Sequence, residues 1–196
     1  GTLNYINKIN NLGTKKVFAT DVSKSKFLNL KIYKNVKFKT TNYKKINFKN
    51  NQFDFIFCNG VLSHLLHWKK TLKEFHRILK PNGKVWLNLF GDSRFRRLPI
   101  SISKKINKNQ KKIIKNILFL EGWNIQKINY IENMFFWDKR ILFKKKDIEK
   151  NFIKIGFKKI KFLKRGTETD LSEKVFKKKS LKHLYNYGDL RYVLEK

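Results

Sequence analysis

The stretch from Phe53 to Phe90 constrains what this chain can fold into more than any other. Phe53-Asp54-Phe55-Ile56-Phe57-Cys58 is a short, mostly apolar run, which reads as a strand covered on both faces. Trp68, Leu72, Phe75, Ile78 and Leu79 then recur at helical spacing and mark an amphipathic helix. The helix stops at Lys80-Pro81-Asn82-Gly83, where Pro81 fixes one backbone angle and Asn82 or Gly83 accepts a positive φ. Lys84-Val85-Trp86-Leu87-Asn88-Leu89-Phe90 returns as a second strand. Strand, helix, tight turn and strand in this order indicate a βαβ unit and a parallel sheet. Open sheets of this kind bind ligands outside the carboxyl ends of their strands, which makes Asn59 and Gly60 candidates for ligand contact.

The flanks extend the same architecture. Leu3, Ile6, Ile9 and Leu12 lie near helical spacing, with Gly13 suited to a left-handed cap. Residues 16–20 read as a short strand ending at Asp21, and residues 36–40 alternate like another. Downstream, residues 146–155 form an amphipathic pattern closed by Gly156, and residues 157–163 and 189–194 read as strands. Between them, residues 91–145 break the rhythm: Ile113, Ile114, Ile117, Leu118 and Leu120 suggest one helix, followed by the run Phe135-Phe136-Trp137. We read this as a cap-like insertion within a single α/β domain spanning residues 1–196. Successive residues cannot all point into one core, so at least one member of that run faces a cleft. Tyr130, Phe135, Phe136 and Trp137 are therefore the candidate substrate-binding residues.

Composition bounds the partners. No stretch approaches the roughly 18 apolar residues needed to span a bilayer. The single cysteine, Cys58, excludes an internal disulfide and fits a reducing compartment, so a cytoplasmic protein is expected. The four histidines and one cysteine lack metal-ligand spacing. The formal net charge of +33 has two readings. One is a polyanionic partner such as RNA. The other is codon bias: Lys, Asn, Ile and Phe, all with AT-rich codons, dominate, and Ala occurs once, at Ala19. The scarcity of Glu shows that bias alone is incomplete.

The order of these pieces resembles the class I S-adenosylmethionine-dependent methyltransferases. The most specific match is Phe53 to Leu65, continued by Leu79-Lys80-Pro81-Asn82-Gly83, similar to the family's fourth strand, its following loop and its "L-K-P-G-G" turn. The resemblance implies a Rossmann-like sheet, mostly parallel with an antiparallel last strand. It also implies that the family's first strand and most of its glycine loop precede Gly1, which matches the loop's last glycine. Asp21 matches the acidic residue whose carboxylate accepts the ribose hydroxyls. Asn42, with Tyr43 beside it, stands where the family usually has an Asp at the adenine amino group; its amide oxygen can take that role. Asn59 and Gly60 are expected to line the methionine portion of the cofactor.

The same resemblance implies methyl transfer from S-adenosylmethionine, and the expected acceptor is a small molecule, a metabolite or a lipid-like compound. His64 is the candidate general base, because its ordinary pKa lies near neutrality. The alternatives are an RNA methyltransferase that docks through its basic surface and a non-catalytic cofactor-binding scaffold. Two base-modifying chemistries are disfavoured: the loop Asn59-Gly60-Val61-Leu62 lacks the Pro-Pro-aromatic amine clamp, and Cys58 lies inside a strand instead of a Pro-Cys loop. Without the first strand, unpaired backbone along the gap is expected to leave the chain aggregation-prone or poorly cooperative in unfolding.

Overall fold

A computed structural model describes residues 5, 6, 9, 12–23, 34–135, 140–163 and 188–196. They fall into two units, Gly1–Asn47 and Phe48–Lys196. In the first, Tyr5, Ile6 and Ile9 are helical, and Gly13 takes the left-handed conformation (φ 73°) expected of a cap. Strands β1 (Val17–Asp21) and β2 (Val36–Thr40) pair in parallel from Val17 opposite Val36 to Asp21 opposite Thr40. The Asn35 amide donates to the Thr14 carbonyl at 3.0 Å, tying together the approaches to both strands.

The second unit holds a four-stranded sheet. Its elements in chain order are β3 (Phe53–Asn59), a 3-10 turn (Val61–His64), α1 (Trp68–Ile78), β4 (Leu79–Phe90), α2 (Arg94–Lys105), α3 (Lys108–Leu120), α4 (Ile125–Phe135), α5 (Lys145–Ile155), β5 (Lys159–Phe162) and β6 (Asp189–Glu195). The spatial order is β3-β4-β6-β5; β3 and β4 run parallel and β6 is antiparallel to both its neighbours. The predicted βαβ unit is therefore present, as is the antiparallel last strand. Val85, Leu87 and Leu89 of β4 and Leu190, Tyr192 and Leu194 of β6 are fully buried, one residue in two, as the pleat dictates. Leu72, Phe75 and Ile78 of α1 and Ile148 and Phe152 of α5 complete this core. Phe152 meets the Tyr192 ring edge-on at 5.1 Å, which fixes α5 against β6. Tyr192 keeps its hydroxyl satisfied by donating to Glu149 at 3.1 Å.

Three expectations need correction. Strand β3 is not covered on both faces: Cys58 is its one buried residue and Phe55 is 53% exposed. Among the described strands β3 pairs only with β4, so it is an edge. The strand expected from Lys84 begins instead at Leu79, and Lys80 to Gly83 bulge within it, the register jumping from Phe53–Leu79 to Phe55–Lys84. The bulge holds because Asn82 accepts φ 61° and because Asn82 and Gly83 exchange backbone hydrogen bonds with Lys196. The insertion carries three helices where one was expected. Helix α2 starts from a Ser93 cap and α3 from a reciprocal capping box between Asn107 and Gln110.

Candidate active site

Two clusters of candidate residues form, one in each unit. In the first, Asp21 is the last residue of β1 and Asn42 lies two residues beyond the adjacent parallel β2, and the Asp21 carbonyl accepts the Thr41 amide at 2.9 Å. The Asp21 carboxylate accepts the Ser23 amide at 3.0 Å, a local turn that orients it just past the strand end. The Tyr43 hydroxyl donates to the Thr20 carbonyl at 3.1 Å, bringing its ring beside the residue that precedes Asp21. The Asn42 side-chain oxygen accepts the Lys44 amide at 2.9 Å, so this residue also shapes its own turn. An amide oxygen has two lone pairs, and that bond uses one. Gly1 lies outside the described residues.

In the second unit, β3 ends at Asn59 and the chain turns sharply at Gly60, where φ 73° favours glycine over any residue with a side chain. The Gly60 amide donates to the Asn88 carbonyl at 2.9 Å, and the Asn88 side chain donates to the Asn59 side-chain oxygen at 2.8 Å. The Asn88 side-chain oxygen is itself buried, with no donor among the described residues. Such an orphan acceptor in a polar pair at a strand end suits a donor on a ligand, for instance an ammonium group. Asn88 was missed in the sequence, although a polar residue between Leu87 and Leu89 in a buried strand was a usable signal.

The 3-10 turn then carries Ser63 and His64. Ser63 is fully buried and its hydroxyl accepts the Phe90 amide at 2.9 Å, while its carbonyl accepts the Ile141 amide at 2.8 Å. These two bonds clamp the turn between the end of β4 and the segment before α5. His64 meets the Phe90 ring edge-on at 5.3 Å. The Arg96 and Arg140 guanidiniums lie over the same ring, at 5.1 and 5.6 Å. Burial and then the Arg140 charge push the His64 pKa below its ordinary value, so the neutral imidazole prevails at neutral pH. A neutral, partly buried imidazole can take a proton. Nothing in the sequence around Arg140 announced its influence on His64, because the Ser63–Ile141 bond joins segments distant in sequence.

Beside this cluster, past the end of β4, lies an open cleft of about 370 Å3 lined by Asp92, Arg97, Ile100, Ser101, Lys104, Arg140 and Leu142. Arg97 forms a two-pronged pair with Asp92 and holds that carboxyl below the usual range. Tyr130 and Phe135 fall within α4, whereas Phe136 and Trp137 lie outside the described residues. His183 lies outside the described residues. His67 occupies the cap position of α1 without a side-chain bond. His76 lies 3.2 Å from the Gly156 carbonyl and edge-on to Phe157, joining α1 to the end of α5. Cys58 is a packed thiol, its pKa pushed up to about 12 by burial.

With this geometry in place, comparison with known proteins gives a consistent picture. Residues 1–87 match the family described as methyltransferase domain. The ubiquinone/menaquinone biosynthesis C-methyltransferase of Rickettsia prowazekii is 34% identical over 62 residues, 32% of this chain. The match spans 25% of that relative's length. Among solved structures, an S-adenosylmethionine-dependent methyltransferase from Mesorhizobium loti superposes with a TM-score of 0.62 at 11% identity, covering 98% of this chain and 86% of its own. A second, from Archaeoglobus fulgidus, gives 0.58 at 12% identity over 98% of this chain and 80% of its own.

Proposed function

We propose that the chain is a class I S-adenosylmethionine-dependent methyltransferase that transfers a methyl group from S-adenosylmethionine to a small metabolite or lipid-like acceptor. The observation that carries the reading is the placement of acceptor groups at the carboxyl ends of parallel strands within each unit: in one, Asp21 is the last residue of β1; in the other, Asn59 is the last residue of β3 and the orphan Asn88 oxygen lies two residues before the end of β4. These groups fit the cofactor chemically. Vicinal ribose hydroxyls donate to a carboxylate such as Asp21, and an ammonium donates to an amide oxygen such as that of Asn88. Asn42 and Tyr43 are assigned to the adenine end, and Gly60 lets the backbone approach closely.

When bound, the cofactor supplies an electrophilic methyl group on a sulfonium, so the protein's task is mainly to position and desolvate the reactants. His64, neutral and held by the Ser63 clamp, accepts the proton of an acceptor that must lose one. The insertion over residues 91–145, with Tyr130, Phe135, Phe136 and Trp137, is assigned to acceptor binding. In the test, S-adenosylmethionine is titrated into the chain and into Asp21→Ala by calorimetry. Loss of a hydrogen bond to a charged group should weaken binding by about 1.5–3 kcal/mol. Unchanged affinity would remove Asp21 from the site.

A further inference from the structure

We propose that the helical hairpin of α3 and the start of α4 is a docking surface for an anionic membrane. Helix α3 is well formed, yet it buries none of its residues. Ile113, Ile117 and Leu120 repeat along one side at helical spacing and are 57%, 51% and 82% exposed. Trp123 and Ile125 extend the exposed apolar surface around the turn into α4, and Phe119 is exposed on the lysine side of the helix. The protein itself uses a different side of the helix: Ile114 and Leu118 are half-buried, and Lys115 pairs with Glu132 of α4 at 3.1 Å. An apolar stripe of this extent, left open on a helix that carries its own capping box, marks an interaction site.

Charge identifies the occupant. Between Asp92 and Glu121 the sequence holds nine Lys or Arg residues and no Asp or Glu. At 100° per residue, Lys108, Lys111 and Lys112 project away from the Ile113–Ile117–Leu120 stripe, the arrangement of a basic amphipathic helix that lies in a bilayer interface. A second copy of this chain would bring the same acid-free segment against itself, at a net charge of +33 per copy, and like-charged faces repel. An RNA strand would engage the lysines, but it would leave the aliphatic stripe without a partner, since bases stack on aromatic side chains. An anionic bilayer satisfies both faces at once, with phosphates against the lysines and the acyl boundary against the isoleucines. No helix among the described residues is long and apolar enough to cross a membrane, so the association is with its surface.

The experiment is flotation of the chain with phosphatidylcholine vesicles, with and without phosphatidylglycerol. The chain should float with the anionic vesicles only. Lys112→Gln should lower its partition about five-fold, and Ile117→Asp or Leu120→Asp by more than about ten-fold. All three positions are exposed, so circular dichroism and the urea midpoint should be unchanged; Leu120→Asp stands in if Ile117→Asp fails to fold. Lys154→Gln, on α5, should change partition less than about two-fold. Equal binding by the wild type and the Asp variants would mean that net charge alone drives association, and would overturn the proposal. So would a chain that ignores both vesicles yet loses single-stranded RNA binding on the Asp substitutions.

Discussion

Gly91→Ala should be among the most damaging single-methyl additions in the chain. Gly91 sits where β4 ends, with the Phe143 strand segment on one side: the Phe143 amide donates to Phe90 at 2.8 Å and the Asp92 amide to Phe143 at 2.9 Å. On the other side the chain enters β6, and a β-carbon built on Gly91 would lie 2.0 Å from the Gly188 carbonyl oxygen. A relaxed carbon–oxygen contact is about 3.3 Å, so the segments must part by roughly 1.3 Å. Moving Gly91 away breaks the bridge to Phe143. Moving Gly188 strains the adjoining Arg96–Asp189 pair and the first β4–β6 rung, Phe90 opposite Asp189. Overpacking costs about 1–3 kcal/mol, and one or two backbone hydrogen bonds add about 1 kcal/mol each. We expect a loss of about 3–4 kcal/mol, read from urea unfolding followed by circular dichroism. Gly122→Ala is the control, because nothing lies within 4 Å of its added methyl and only its φ of 75° is at stake; it should cost about 1 kcal/mol. A Gly91→Ala loss no larger than the control's would refute the wedge.

Two further predictions concern the second unit. The His64 ring protons, followed by NMR, should titrate with a midpoint below 6.5, and Arg140→Gln should raise it only in part, because burial is the larger cause. The unfolded chain binds more protons than the folded one between that lowered pKa and 6.5, so this group's penalty to stability fades as pH rises through the window; a midpoint at or above 6.5 would contradict the packing against Phe90 and Arg140. Cys58, the single cysteine, should resist a thiol reagent at pH 8 and react fully in denaturant, whereas stoichiometric labelling of the folded chain would show that β3 opens readily.

The regular elements were legible where burial repeats with a period. Strand β6 alternates strictly from Asp189 to Glu195 and α1 presents Leu72, Phe75 and Ile78 at helical spacing, so both were bounded to within a residue or two. The bulge at Lys80–Gly83 was not legible as strand, since Lys80, Pro81 and Asn82 are exposed in a row and the pairing of Asn82 and Gly83 depends on Lys196 at the far end of the chain. Helices α2 and α4 were missed for a related reason. Helix α2 contains Pro99, which ordinarily ends a helix, and leaves Leu98 and Ile102 exposed, so its pattern points to no core. The site divides in the same way. Candidate residues at a strand end, such as Asp21 as the last of β1 and Gly60 just after β3, owe their position to topology, which the sequence pattern shows. Ser63, Asn88 and Arg140 act through contacts between segments distant in sequence, and no local pattern encodes those.

The charge, which codon bias left incompletely explained, becomes more specific once the acids are located. Asp54, Glu74, Asp92, Glu132, Glu149, Asp189 and Glu195 each pair with a Lys or Arg. Several of these pairs stand at joints: Asp92 and Asp189 hold Arg97 and Arg96 at the end of β4, and Glu195 receives Lys84 and Lys159 from the strands on either side of β6. Exposed pairs of this kind add little stability each, but their placement shows that acids persist where they orient a cation or bridge neighbouring strands. A chain drifting toward lysine under codon bias alone would thin its acids evenly. Here seven of them hold such pairs, and none occurs from Ser93 to Leu120 or from Val22 to Phe53; the first of these segments is also where apolar side chains turn outward. Self-repulsion along that segment opposes folding, and an anionic partner would relieve it. Excess charge and exposed apolar surface thus coincide on one hairpin, and a membrane surface accounts for both.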